Sequence, residues 1–214
     1  MSDKLVSTAG VLATVVFWSA LFVFAAMYPG YTHFHKAISE LGAFGAPNAI
    51  AWNVIGFIIP GILLAVCGSG VAFRVDGRRT SIYWLLIISG LGFSGTGILP
   101  AEMQDGSPNM ESAWTTGHII MTFLSGLPWV IATAILAFHV KRSSNWKYLT
   151  TTCSILSFFA ITSLFINVAA SGLPYLSENP GLAQRIAFAF YFAWFLIVGL
   201  LFTNRTQIDR DTVA

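Results

Sequence analysis

The chain has little charge. Only 9% of its 214 residues are Asp, Glu, Lys or Arg, whereas 56% are hydrophobic, and an ordinary soluble domain carries about a quarter charged residues. A water-soluble fold is therefore excluded, and in a membrane this length makes one compact bundle with no material left for an extramembrane domain. The excess of basic residues gives a formal net charge of only +2. It is spread over several connections, so no patch is dense enough to neutralise a run of phosphates and nucleic acid is not expected as a partner. Cysteine is scarce as well. Cys67 and Cys153 both sit in apolar runs without CxxC spacing and read as small buried apolar residues rather than redox or metal groups. No lysine lies inside an apolar run, which leaves a retinal Schiff base without an attachment point. His118 and His139 stand at opposite ends of one span and cannot form an axial haem pair. No GxSxG, HExxH or glycine-rich phosphate loop names a hydrolase, protease or nucleotide enzyme.

Long apolar runs, by contrast, are plentiful. A helix needs about 20 mainly apolar residues to cross the hydrocarbon. Six stretches qualify, Leu5–Met27, Ala49–Phe73, Ser81–Leu99, Thr115–Phe138, Tyr148–Ala170 and Ile186–Phe202. The expected fold is an all-α, polytopic six-transmembrane-helix bundle that occupies residues 1–214 as a single domain. The first run exceeds a signal-peptide core and a second span follows at once, so it reads as a retained helix. Basic residues resist translocation and so report orientation. With six spans, Lys4, Arg74, Arg78, Arg79, Lys141, Arg142, Lys147, Arg205 and Arg210 fall on the side of the termini, and only Lys36 and Arg185 fall opposite. One span more or fewer would destroy that segregation. The expectation is a plasma (inner) membrane protein with cytoplasmic N- and C-termini.

The cytoplasmic connections are short charged turns. The outer ones, Tyr28–Asn48, Pro100–Trp114 and Ser171–Arg185, hold most of the polar chemistry. Each outgoing helix is followed by a proline (Pro29, Pro100, Pro174), where a helix cannot continue, and each return is marked by Pro and Asn. Within the spans, Gly61, Ala65 and Ser69 form a small-residue ridge suited to close helix packing, the glycines from Gly90 to Gly97 make the third helix slender, and Pro60 and Pro128 are expected to bend theirs.

His118 is the foremost candidate, because an ionisable residue inside a span is rare; otherwise it is a histidine bonded to a neighbouring helix. Glu102 and Asp105 follow the third span closely enough to fold over the same mouth. A carboxylate, a histidine and a cavity can bind a metal, relay a proton or hold a polar headgroup. His33 and His35 share one face if their segment is extended, which makes them, with His118, the metal-ligand candidates. Ala37–Ala43, which contains Ser39 and Glu40, suits a short interfacial helix or a re-entrant piece closing over the bundle. Asn53 and Asn167 lie near span ends, where a buried amide needs a partner. Gln184 and Arg185 open the last helix, and Arg185 either snorkels to lipid phosphate or pairs with Glu40 or Glu102 across the mouth.

Ile38-Ser39-Glu40-Leu41-Gly42-Ala43, the following Gly45-Ala46-Pro47, Asn53, the Pro100-to-His118 loop and Gly181-Leu182-Ala183-Gln184-Arg185 together resemble domain-of-unknown-function family 998. That is a six-span prokaryotic family, and the likeness covers nearly the whole chain. The first loop is also similar to the Ile-Ser-Asp-x-Gly segment of Frag1/DRAM-type membrane proteins, some of which are tied to lipid-anchor remodelling and membrane traffic. The family pattern implies an Asp two residues after the loop proline, where this chain has Glu102. The resemblance implies a fold and a set of residues but no reaction.

Three functions are consistent with these residues. The first is binding or transport of a lipid or small amphiphile, which enters an outer mouth and meets Glu40, Glu102, His118 and Arg185, with Ser39, Asn53, Gln184 and Asn167 as further ligand contacts. The second is an intramembrane lipid hydrolase in which His118 works with a carboxylate such as Glu102 or Glu40, or with a metal. The third is a structural or regulatory subunit. Membrane lipids are the expected partners. Self-association into a homo-oligomer is left open, and the residues assign no cofactor.

Overall fold

The computed structural model describes residues 1–77, 80–104, 107–169 and 173–211, without the side chains of 76, 167–169, 174, 177 and 203–211. Among the described residues six helices are long and apolar enough to cross a membrane, at Asp3–Ala26, Ala49–Val75, Ser81–Ile98, Ala113–Arg142, Lys147–Ile166 and Pro180–Phe202. The chain is thus built as an all-helical, multi-pass membrane protein; a minimal antiparallel pair, Met103–Gln104 with Ser107–Pro108, lies between the third and fourth spans. In chain order the α-helices are α1 (Asp3–Ala26), α2 (Ala49–Trp52), α3 (Ile59–Asp76), α4 (Ser81–Ile98), α5 (Ala113–Arg142), α6 (Thr150–Ala169), α7 (Pro174–Glu178) and α8 (Pro180–Asp211). Packing neighbours close a ring: α1 meets α3, α3 meets α4, α4 meets α5, α5 meets α6, α6 meets α8, and α8 returns to α1.

Local chemistry sets the helix ends. Ser2 caps α1 by accepting from the Leu5 N–H (3.3 Å), and Asp3 adds negative charge at the positive end of the helix dipole. Ser112 likewise caps α5 through the Trp114 N–H (3.3 Å), while His139, Lys141 and Arg142 occupy its last turn. Asp3 also accepts from Arg74 Nε (2.8 Å), which ties the start of α1 to the end of α3. Pro180 opens α8 six residues before the expected Ile186, because proline is preorganised for a first helical turn. Pro174 similarly begins α7 rather than closing α6.

The second span is continuous but not regular. Asn53–Ile58 forms a π-helical segment between α2 and α3, in which the Ile59 N–H donates to the Val54 carbonyl. Pro60 explains this position. It has no N–H, and in a regular helix its ring would strike the carbonyl of Gly56; the wider turn relieves that clash. A π segment thus stands directly before Pro60.

Polarity does not choose the helix faces, since the lipid is as apolar as the interior. On α1 the buried face carries Ala9, Gly10, Ala13 and Ala20 with Phe17, whereas Leu12, Val15, Phe22 and Val23 are exposed. The slender α4 sits between α3 and α5. A Cβ on Gly90 would strike the Ala65 backbone, and one on Gly92 would come within 2.6 Å of the Ser125 nitrogen, so both contacts require glycine. Gly61 and Ala65 of the small-residue ridge do face α4. At the centre, Phe17 stacks on Phe192 at 4.3 Å and Phe93 stacks on Tyr191 at 5.6 Å. Cys67 and Cys153 are buried free thiols, and Cys67 lies against Gly10 and Gly199.

Candidate functional site

One end of the ring is closed by the loop after α1. Its Ile38–Gly42 segment is a 3-10 helix with Ile38, Leu41 and Gly42 buried, so the expected short helix does fold over the bundle. Glu40 reaches back to the Ala37 N–H (2.8 Å) and satisfies an end donor that would otherwise be free. The Ile38 N–H donates to Gln184 Oε1 (2.8 Å), which fastens the segment to α8. Asn53 Nδ2 donates to the Gly42 carbonyl (2.9 Å) and fastens it to the π segment. A Cβ on Gly42 would fall on Asn53 Oδ1. Phe44 N–H, donating to the Ala101 carbonyl (3.1 Å), joins the same loop to the exit of α4.

Beneath this cover, where α4, α5, α6 and α8 meet, lies a cavity of about 440 Å³. Ser39, His118 and Gln184 line its mouth, Phe57, Phe93 and Phe188 line its walls, and Ser125, Trp129 and Tyr191 stand at its far end. Phe123 and Leu127 also border it and are exposed on the bundle surface, so the cavity adjoins the lipid-facing side of α5. No Asp, Glu, Lys or Arg lines it among the described residues.

His118 is buried. Its Nδ1 lies 3.0 Å from the Thr96 carbonyl and 2.9 Å from that of Leu99. Both are acceptors at the end of α4, so Nδ1 carries the proton, and in the neutral ring Nε2 keeps a lone pair. The far end is built differently. Ser89 Oγ donates to the Ser125 carbonyl (2.7 Å), which makes Tyr191 the donor in the 2.8 Å contact with Ser89 Oγ, and Ser125 Oγ donates to Tyr191 Oη (3.2 Å). The three hydroxyls thereby satisfy one another between α4, α5 and α8. The Trp129 N–H is shut into the packing with no acceptor.

The remaining sequence candidates are placed elsewhere. Glu102 is braced through its backbone, its N–H on Thr115 Oγ1 (3.0 Å) and its carbonyl receiving the Asn109 N–H (2.8 Å); its carboxylate does not line the cavity. Glu40 faces Lys36 (3.6 Å), not His118. Arg185 pairs with neither acid: its Nε donates to His33 Nδ1 (3.1 Å), Nη2 to Tyr31 Oη (2.8 Å), and Nη1 to the Lys36 (3.1 Å) and Gly181 (2.8 Å) carbonyls. The expected bridge across the mouth is replaced because the first loop lies directly on α8, where a Cβ on Gly181 would strike the His33 and Lys36 carbonyls. Residues 33–35 form a turn, not an extended strand. His33 therefore faces Arg185 while His35 Nδ1 donates to the Glu178 carbonyl (3.1 Å), and the two do not converge with His118. Among the described residues no three of His, Cys, Asp and Glu stand together. Asp105 and the Asn167 side chain lie outside the described residues.

Outside the spans, desolvation and the nearby Arg185 cation hold His33 below the ordinary histidine pKa. Burial raises that of Tyr31, against the opposing effect of Arg185. Asn53 belongs to a separate open groove of about 840 Å³ bordered by the 42–46 loop and α2.

The sequence pattern of a family described as a protein of unknown function, DUF998, matches residues 11–201. The chain belongs to the DUF998 family. No curated protein and no solved structure matches it. In this DUF998 protein, sequence reasoning missed Ser125, Trp129 and Tyr191. A mid-span signal for two of them was present, since a hydroxyl at membrane depth must find a partner, but Ser125 and Tyr191 belong to different helices and only the fold pairs them.

Proposed function

We propose that this DUF998 protein binds or transports a lipid or small amphiphile, held in the cavity under the 38–42 helix. One observation carries the reading, a cavity of about 440 Å³ with aromatic and aliphatic walls and a few polar groups gathered at its mouth. That volume falls within the roughly 300–1,000 Å³ of small-molecule sites, and the mixture of lining groups is the usual one for them. The exposed Phe123 and Leu127 at its border give an apolar chain a route in from the bilayer. The lipid hydrolase reading is weaker, because both carboxylates offered to His118 are engaged or directed elsewhere. The distribution of basic residues supports a plasma-membrane orientation with cytoplasmic termini, which turns the mouth outward.

The test is to extract the protein in native lipid discs and identify bound amphiphiles by mass spectrometry, beside the variant Ala187→Trp. Ala187 is a buried lining residue of α8, and an indole there occupies the cavity. A discrete species enriched over bulk lipid in the native protein and lost from the variant is expected. The same lipid profile in both samples would refute the reading.

A further inference from the structure

We propose that the amphiphile is electrically neutral with a hydroxyl-bearing head, of the long-chain alcohol or monoacylglycerol class, an inference that rests on the binding reading above. The mouth decides the head group. Thr96 and Thr122 spend their hydroxyls on backbone carbonyls within their own helices, at 2.6 and 2.9 Å. Gln184 has given its oxygen to the Ile38 N–H, which leaves its NH₂ as a donor. His118 has given Nδ1 to two carbonyls, which leaves Nε2 as an acceptor. Ser39 lines the same mouth with a hydroxyl that can do either. A donor, an acceptor and a group that is both are together satisfied by hydroxyls, which also both give and receive.

Charge is excluded by the same surroundings. An ionised head in a low-dielectric site needs a counter-charge and several hydrogen bonds, and the lining supplies no Asp, Glu, Lys or Arg among the described residues. The charged residues next to Gln184 and Ser39 in sequence are already engaged. Arg185 follows Gln184 in sequence, yet its guanidinium is directed to His33, Tyr31 and two carbonyls, and Glu40 and Lys36 face each other. At the far end Ser89, Ser125 and Tyr191 satisfy one another, and the unpaired Trp129 N–H is shut into the packing, away from the cavity space. The far end suits the apolar end of a chain.

The experiment is direct binding of three radiolabelled ligands with the same palmitoyl chain to immobilised full-length protein in mild detergent. They are 1-monopalmitoylglycerol, palmitate at pH 8 and palmitoyl-lysophosphatidylglycerol. The monoacylglycerol is expected to bind at least about tenfold more tightly than either anion, and Gln184→Lys, which places a cation at the mouth, is expected to narrow or reverse that preference for palmitate. Equal or tighter binding of the anions by the native protein overturns the neutral-head inference and leaves the cavity reading standing. Saturable binding of none of the three overturns both.

Discussion

Gly126 gives the sharpest handle on the cavity. It lines the space from within α5, and a Cβ built on it has nothing within 4 Å, so a larger side chain enters empty volume instead of displacing packed atoms. Gly126→Leu therefore has two separable effects. Replacing a glycine inside a helix by a good helix former stabilises by about 0.5–1 kcal/mol, with further dispersion contacts against Phe188 and Trp129 as the cavity fills. The same side chain removes room for a ligand. A saturating ligand at a hundred times its Kd raises the stability of the native protein by about 2.7 kcal/mol, and the variant should lose most of that gain. The assay is thermal unfolding in detergent, followed by intrinsic tryptophan fluorescence, with and without added monoacylglycerol. Without ligand the variant should melt at or above the native protein; with ligand only the native protein should shift upward. A variant that melts lower, or that keeps the full ligand shift, would refute the assignment of this cavity as open, ligand-holding space.

Three further outcomes follow from the geometry. Gly42→Ala places a methyl on Asn53 Oδ1 and against Trp52, which breaks the Asn53–Gly42 bond; an overpacking loss of about 1–3 kcal/mol should appear as a lower melting temperature, and an unchanged one would contradict the packing. His33 must be neutral to accept from Arg185 Nε, and its folded pKa is depressed, so the unfolded chain binds more protons just below the ordinary histidine pKa of about 6.5. Stability should fall as pH drops from above that value toward the folded pKa, and His33→Asn, which cannot titrate, should flatten that portion of the melting-temperature profile. Orientation is tested by single cysteines. Met110→Cys should react with a membrane-impermeant maleimide in intact cells and Asn145→Cys only after lysis, over a low background because both native thiols are buried; the opposite pattern would invert the topology.

Much of the fold was legible in the chain, for a physical reason that does not depend on tertiary contacts. In hydrocarbon every backbone polar group must be satisfied within its own helix, so low charge and runs of about 20 apolar residues determine six helices, and proline, serine and asparagine determine where they begin and end. The helix over Ile38–Gly42, the place of Pro60 and the candidacy of His118 belong to this local information. Which face of each helix turns inward does not, because a lipid-facing Leu and a core Leu are alike in sequence. Only the packed ring brought Ser39, His118 and Gln184 from three separate elements to one mouth and paired Ser125 with Tyr191 below it. It also turned Arg185, Glu40 and Glu102 away from His118, because the first loop lies on α8 and its carbonyls and rings reach the guanidinium before any carboxylate does. The sequence determined that polar residues gather at one end of a membrane bundle. The tertiary structure decided which of them face the cavity, since that depends on backbone contacts at Gly42, Gly90, Gly92 and Gly181 that no periodicity records.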